Sequence, residues 1–100
     1  GYRKTAWADD EVLLAVHLRL PESDTTFMTY KVSKRREMDI STASGAFAVT
    51  VRDGLVTAAR LAFGGLGPVA GERCAAAERA LVGHAPTMAR FEAAAQAAQA

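Results

Sequence analysis

One hundred residues suffice for one domain with a modest core and are too few for two. Half of them are hydrophobic but only 7% are aromatic, so a core here is built from Ala, Val and Leu. Twelve basic against 11 acidic residues, a net charge of +1, argue against a general nucleic-acid or membrane-surface binder, and no apolar run approaches the roughly 20 residues that span a bilayer.

The chain opens on "GYRKTAW", with no initiator Met and no charged-then-apolar leader. The expectation is a piece of a longer protein that is not secreted. The single cysteine, Cys74, forms no internal disulfide and belongs to no cysteine cluster of the kind that ligates metal, which is compatible with a reducing compartment such as the cytoplasm.

Asp9 and Asp10 make a polar break before "EVLLAVHLRLP". Val12, Leu14, Val16, Leu18 and Leu20 alternate with Leu13, Ala15, His17 and Arg19, and that period of two predicts a first strand over residues 12–20. Pro21 ends it, and "PESD" supplies turn chemistry. "TTFMTYKVSKR" alternates again, with Met28, Tyr30 and Val32 on one side and Phe27, Thr29, Lys31 and Ser33 on the other. It is predicted to pair antiparallel with the first strand.

"ISTASGAFAVTVRDGLVTAARLAF" carries the clearest local signal. Asp53-Gly54 between two alternating runs predicts a two-residue type I′ hairpin. Phe47, Val49 and Val51 share a face before the turn; after it Leu55, Thr57, Ala59, Leu61 and Phe63 alternate with Val56, Ala58, Arg60 and Ala62. Four antiparallel strands are thus expected.

The period then changes. "GGLGPVAGE" is a flexible break, and "RCAAAERALVG" places Cys74, Ala77 and Leu81 at helical spacing, with Gly83 set to terminate the helix. Thr87 is a candidate N-cap for a second helix with Met88, Phe91 and Ala95 on one stripe. Strands followed by helices give an α+β fold: an antiparallel sheet of about four strands with C-terminal helices packed on one face.

Few residues offer chemistry. His17 and His84 are isolated and share no metal-ligand spacing, and His17 reads as a strand residue at a surface or interface. Cys74 reads as a small buried hydrophobe. "FGGLGPVAG" precedes a helix but lacks the Gly-Lys-Ser/Thr end of a phosphate loop and the dinucleotide spacing, so it reads as a structural connection. "KVSKRREMD" leaves three readings open: a basic patch for nucleic acid, a solvated hairpin end, or a lining for an anionic ligand. The first is the poorest, with no recognition-helix pattern and no aromatic stacking platform beside it.

"GYRKTAWADDEVLLAVHLRLP", "YKVSKRREMDISTASGAFAV" and "ARLAFGGLGPVAGERCAAAERALVG" resemble, in order, successive blocks of the C-terminal part of the FAD-binding subunit or region of xanthine dehydrogenases and related molybdenum hydroxylases. The resemblance covers residues 1 to about 83, and "YRKT" and "SKRREMDI" are its specific pieces. It implies an α+β sandwich that follows the principal FAD-binding domain, and a further helix beyond the present C-terminus. The whole of residues 1–100 would be one such domain.

By position, the resemblance implies FAD contacts at Leu13, through backbone and packing, and at Lys31, close to the isoalloxazine ring. It places Arg35, Arg36, Glu37 and Asp39 in a loop near the flavin. Met38 stands where relatives often carry another acid. The parent would oxidise a purine-like heterocycle at a molybdenum centre and pass electrons through 2Fe-2S clusters to FAD and on to NAD⁺. The iron–sulfur clusters and molybdenum cofactor would sit in partner subunits or domains, not here; nucleic acid and membrane are not expected partners. Two other readings stand beside it: the flavoprotein subunit of a sister enzyme, a carbon monoxide dehydrogenase or an aromatic acyl-CoA reductase, and a non-catalytic interaction domain.

Overall fold

Pairing of alternating segments produces the sheet. In a computed structural model, which describes residues 4–67 and 71–99, β1 (Thr25–Val32), β2 (Ala43–Arg52), β3 (Leu55–Gly64) and β4 (Glu72–Arg73) lie in the order β1-β2-β3-β4, all antiparallel. Two helices follow, α1 (Ala75–Leu81) and α2 (Met88–Gln99). The α+β class and the four-stranded antiparallel sheet agree with expectation. The first three residues of the "GYRKTAW" opening and residues 68–70 of the glycine-rich connection lie outside the described residues.

The strands themselves differ from expectation at both ends. The predicted first strand over residues 12–20 is not one: among the described residues no hydrogen bond engages it, and Val12, Leu14, Val16, Leu18 and Leu20 are all exposed, Leu14 to 93%. Among the described residues, the chain is tied to the sheet only from the start of β1. Arg52 clasps both Glu22 and Asp24, and Val51 N–H donates to the Asp24 carbonyl at 3.1 Å. The entry to β1 is thereby held to β2, while the other edge of β1 has no strand beside it among the described residues. The Cα radius of gyration, 16.1 Å, exceeds the value of about 13 Å typical of a compact chain this long, as an unpacked arm requires. The fourth strand is instead the two-residue β4, at the end of the stretch read as a flexible break.

The β2–β3 hairpin turns at Asp53 (φ 52°) and Gly54 (φ 75°), the two left-handed residues of a type I′ turn. A register shift follows between Thr50 and Val51: Val51 pairs with Val56 but Thr50 with Ala58, so Thr57 is the extra residue of a bulge. The bulge breaks the strict alternation expected for β3. Val56 joins Ala59 and Leu61 in the core, whereas Leu55, predicted to share their face, is 46% exposed.

One sheet face carries Met28, Tyr30, Phe47, Val49, Val51, Leu61 and Phe63. Tyr30, Phe47 and Phe63 run diagonally across β1, β2 and β3 with centroids 5.6 and 5.3 Å apart. Gly45, paired with both Tyr30 and Phe63, leaves room for the Phe47 ring, which would lie 2.6 Å from a Cβ there.

The buried core is small: Val56, Ala59, Leu61, Ala77, Leu81 and Ala94. α1 presents Ala77 and Leu81 to β3, with Cys74 half-buried beside them. Gly83, at φ 84°, ends it as expected and returns its N–H to the Val56 carbonyl at 2.8 Å. Glu78 joins three elements: it accepts from Leu61 N–H at 3.0 Å and from Arg73 at 2.9 and 2.7 Å. Thr87 caps α2, its Oγ1 accepting from Arg90 N–H at 3.4 Å. The buried position of α2 is Ala94, not the expected Met88–Phe91–Ala95 stripe, and Met88 is 73% exposed. Small alanines let α2 lie close on α1, leaving an open groove of about 1170 Å³ between the helices and the aromatic sheet face.

Candidate functional site: the Lys31 loop

Lys31 pairs with Ser44 near the end of β1, so its side chain leaves the sheet on the face opposite Met28 and Tyr30, away from the helices. The chain then runs through residues 33–41 before β2, and Thr42 N–H donating to the Val32 carbonyl at 2.7 Å closes the neck of this loop. "KVSKRREMD" takes the form of a solvated hairpin end between β1 and β2, with residues 34–38 all exposed. It is a closed loop at one end of the sheet.

Its shape comes from its own polar groups. Ser33 Oγ donates to the Arg35 carbonyl at 2.5 Å. The Asp39 carboxylate accepts from Arg35 N–H at 3.1 Å and Ile40 N–H at 3.0 Å, and stands 3.9 Å from Arg35 Nε. Arg35 Nη2 donates to the Met38 carbonyl at 3.3 Å. Met38, 95% exposed, takes a left-handed φ of 53°, which costs a non-glycine residue about 1 kcal/mol. Inside this ring Lys31 Nζ donates to the Asp39 carbonyl at 2.6 Å.

An ammonium has three N–H donors. The loop takes one, on an exposed side chain, and leaves two for an acceptor brought from outside. Arg35 and Asp39 are brought to Lys31, but their polar groups are turned on the loop itself. Leu13 is 62% exposed on the extended segment, and no hydrogen bond among the described residues links that segment to the loop. Lys34, Arg36 and Glu37 make no ion pair among the described residues. Sequence reasoning missed the left-handed Met38 and the Ser33 bond; the available signal was an Asp four residues after Arg35, a spacing that lets a carboxylate close back on the backbone.

The other candidates gather nothing. His17 lies on the exposed segment and His84 at the end of the α1 turn, where its carbonyl accepts from Val56 N–H at 2.9 Å. No group of three His, Cys, Asp or Glu able to hold one metal ion occurs among the described residues. No helix among them is long and apolar enough to cross a membrane.

The sequence profile of the CO dehydrogenase flavoprotein C-terminal domain matches residues 28–100, which take in the Lys31 loop, the sheet and both helices. The chain belongs to the CO dehydrogenase flavoprotein C-terminal domain family. It is 36% identical over 73 residues to the nicotinate hydroxylase hnxS of Emericella nidulans, and 33% identical over 70 residues to the xanthine dehydrogenase of Drosophila pseudoobscura pseudoobscura. Each match covers 68% of this chain and 5% of the relative. Among solved structures it is similar to the carbon monoxide dehydrogenase from Hydrogenophaga pseudoflava that lacks the Mo-pyranopterin moiety of its molybdenum cofactor. There the TM-score is 0.68 and the identity 32%, over 76% of this chain and 26% of that one.

The chain is thus a C-terminal flavoprotein domain of the molybdenum hydroxylase family. The groove on the helix side is apolar, whereas the Lys31 loop fixes a cation on the opposite, open face.

Proposed function

We propose that this domain closes one side of a flavin site in a xanthine dehydrogenase-type molybdenum hydroxylase, with Lys31 at the polar edge of the isoalloxazine ring. The observation that carries the reading is the Lys31 ammonium, held by one bond of 2.6 Å to the Asp39 carbonyl with its other donors open. Such a group fits a ring edge that carries a carbonyl acceptor and gains negative charge on reduction. FAD, when bound, supplies the two-electron step between one-electron iron–sulfur donors and NAD⁺.

Lys31 orients the ring through its free donors and stabilises the reduced state by its fixed positive charge. Leu13 lines the site by packing, on a segment that a neighbouring domain of the same chain would cover. Arg35 and Asp39 shape the loop beside the ring. The 2Fe-2S clusters and molybdenum cofactor belong to partner subunits or domains, and the assembly works in the cytoplasm on a purine-like heterocycle. The relative named for xanthine favours a purine, and the one named for nicotinate, a pyridine, favours a nitrogen heterocycle more broadly. A carbon monoxide dehydrogenase flavoprotein is the second reading, favoured by the similarity to the Hydrogenophaga pseudoflava enzyme.

The test is a visible absorption spectrum of the full-length parent beside its Lys31→Ala variant. Flavin and iron–sulfur bands in the parent, with flavin lost or shifted to lower potential in the variant, are the expected result. A colourless parent leaves an interaction domain instead.

A further inference from the structure

We infer that Asp39 is the positioning residue of Lys31: its carboxylate holds the 33–41 loop in the one turn that offers the ammonium a backbone acceptor. The inference rests on the flavin reading above and adds to it how the cation is kept in place.

Both oxygens of Asp39 accept a backbone N–H inside the loop. Oδ2 accepts from Arg35 N–H at 3.1 Å and faces Arg35 Nε at 3.9 Å; Oδ1 accepts from Ile40 N–H at 3.0 Å. The Asp39 side chain is only 24% exposed, against 73% for Arg35. A carboxylate so engaged is directed at the loop's own backbone. What it displays is its own main-chain carbonyl, and Lys31 Nζ lies 2.6 Å from that atom.

The turn needs such a tie. Met38 sits at φ 53°, a conformation that non-glycine residues leave unless their surroundings hold them there. Arg35 holds the carbonyl of Met38, and Asp39 holds the peptide N–H groups on both sides of the reversal. Without the carboxylate, two backbone donors lose their acceptor and Met38 relaxes to negative φ. The 39–40 peptide then rotates its carbonyl away from Lys31. A lysine on a four-carbon stem has no other partner among the described residues and returns to solvent. Asp39 therefore acts on the bound group through Lys31.

The experiment compares flavin midpoint potential and flavin content in the full-length flavoprotein and its Lys31→Ala, Asp39→Ala and double variants. The expected result is a lower potential in Lys31→Ala and most of that same shift in Asp39→Ala with flavin still bound. The double variant falls no lower than Lys31→Ala alone. A wild-type potential in Asp39→Ala while Lys31→Ala is shifted, or additive shifts in the double variant, overturns the positioning role and leaves the flavin reading standing. If Lys31→Ala changes neither content nor potential, the flavin reading itself fails. Should Asp39→Ala lose its flavin, Asp39→Asn carries the comparison. It keeps one acceptor oxygen and replaces the other with a donor, so a potential between wild type and Lys31→Ala is expected, and a wild-type potential overturns the inference.

Discussion

Val56 and Ala59 occupy the same face of β3 although they stand three positions apart, an odd spacing that ordinarily places strand residues on opposite faces. Thr57 makes this possible: as the extra residue of the bulge it resets the alternation, and its hydroxyl donates to the Thr50 carbonyl at 3.5 Å. Val56, 1% exposed, thereby reaches the contact between β3 and α1. With so few buried residues, each carries a large share of stability. Val56→Ala is expected to cost about 2 kcal/mol and Leu81→Ala about 3 kcal/mol, whereas Leu55→Ala, one residue away and half exposed, costs well under either. Urea denaturation of the three variants checks the order.

Gly54 makes the second prediction. Its φ of 75° is left-handed and a Cβ there meets nothing within 4 Å, so the only penalty for a side chain is conformational. Gly54→Ala is expected to lower stability by about 1 kcal/mol. Asp53→Gly, at φ 52° in the same turn, is expected to change it by less, because glycine takes the same turn without strain. Equal losses in the two variants, read by thermal denaturation, would argue against the type I′ turn.

Gly45 is constrained by side-chain space. A Cβ there meets the Phe47 ring at 2.6 Å, and that ring is flanked by Tyr30 and Phe63. Gly45→Val is expected to displace the aromatic row, altering near-ultraviolet circular dichroism and lowering stability by about 1–3 kcal/mol, the usual cost of overpacking. An unchanged aromatic spectrum would contradict the packing described.

The pH prediction concerns Glu78. The hydrogen bond from Arg73 lowers its carboxyl pKa first of all, against the opposing effect of burial, with further help from the Leu61 N–H and the charges of Arg73 and Arg60. A carboxylate whose folded pKa is depressed contributes stability that is present above its unfolded value, near 4.5, and is lost as pH falls through the lower folded value. The melting temperature is therefore expected to drop below about pH 4.5, and less steeply in Glu78→Gln, which has no charge to lose. Parallel melting curves against pH for the two proteins would remove Glu78 from the acid transition.

Residues 12–20 set the last prediction. Exposed along their length and bonded to nothing among the described residues, they are where chymotrypsin is expected to cut first, after Leu13, Leu14 or Leu18. Mass spectrometry of the earliest fragments reads the site. First cleavage within β2 or β3 would place the weak point elsewhere.

The amino-acid sequence by itself determined whatever depends on short-range rules: the Asp53-Gly54 hairpin, the alternation of β1 and β2, the helix ended by Gly83, the cap at Thr87 and hence the α+β class. It also marked Lys31 and the charged run after it as the place to look, because "YKVSKRREMDI" is specific even as a bare string. Tertiary structure decided the remainder. Residues 12–20 have as regular a period as β1 but are no strand, since a strand exists through its neighbour's hydrogen bonds and none among the described residues reaches this segment. Thr57 became a bulge through pairing that alternation cannot reveal. And Asp39, read as one more charge in a run, turned inward on Arg35 and Ile40 because a reversal at Met38 brings their N–H groups to its two oxygens.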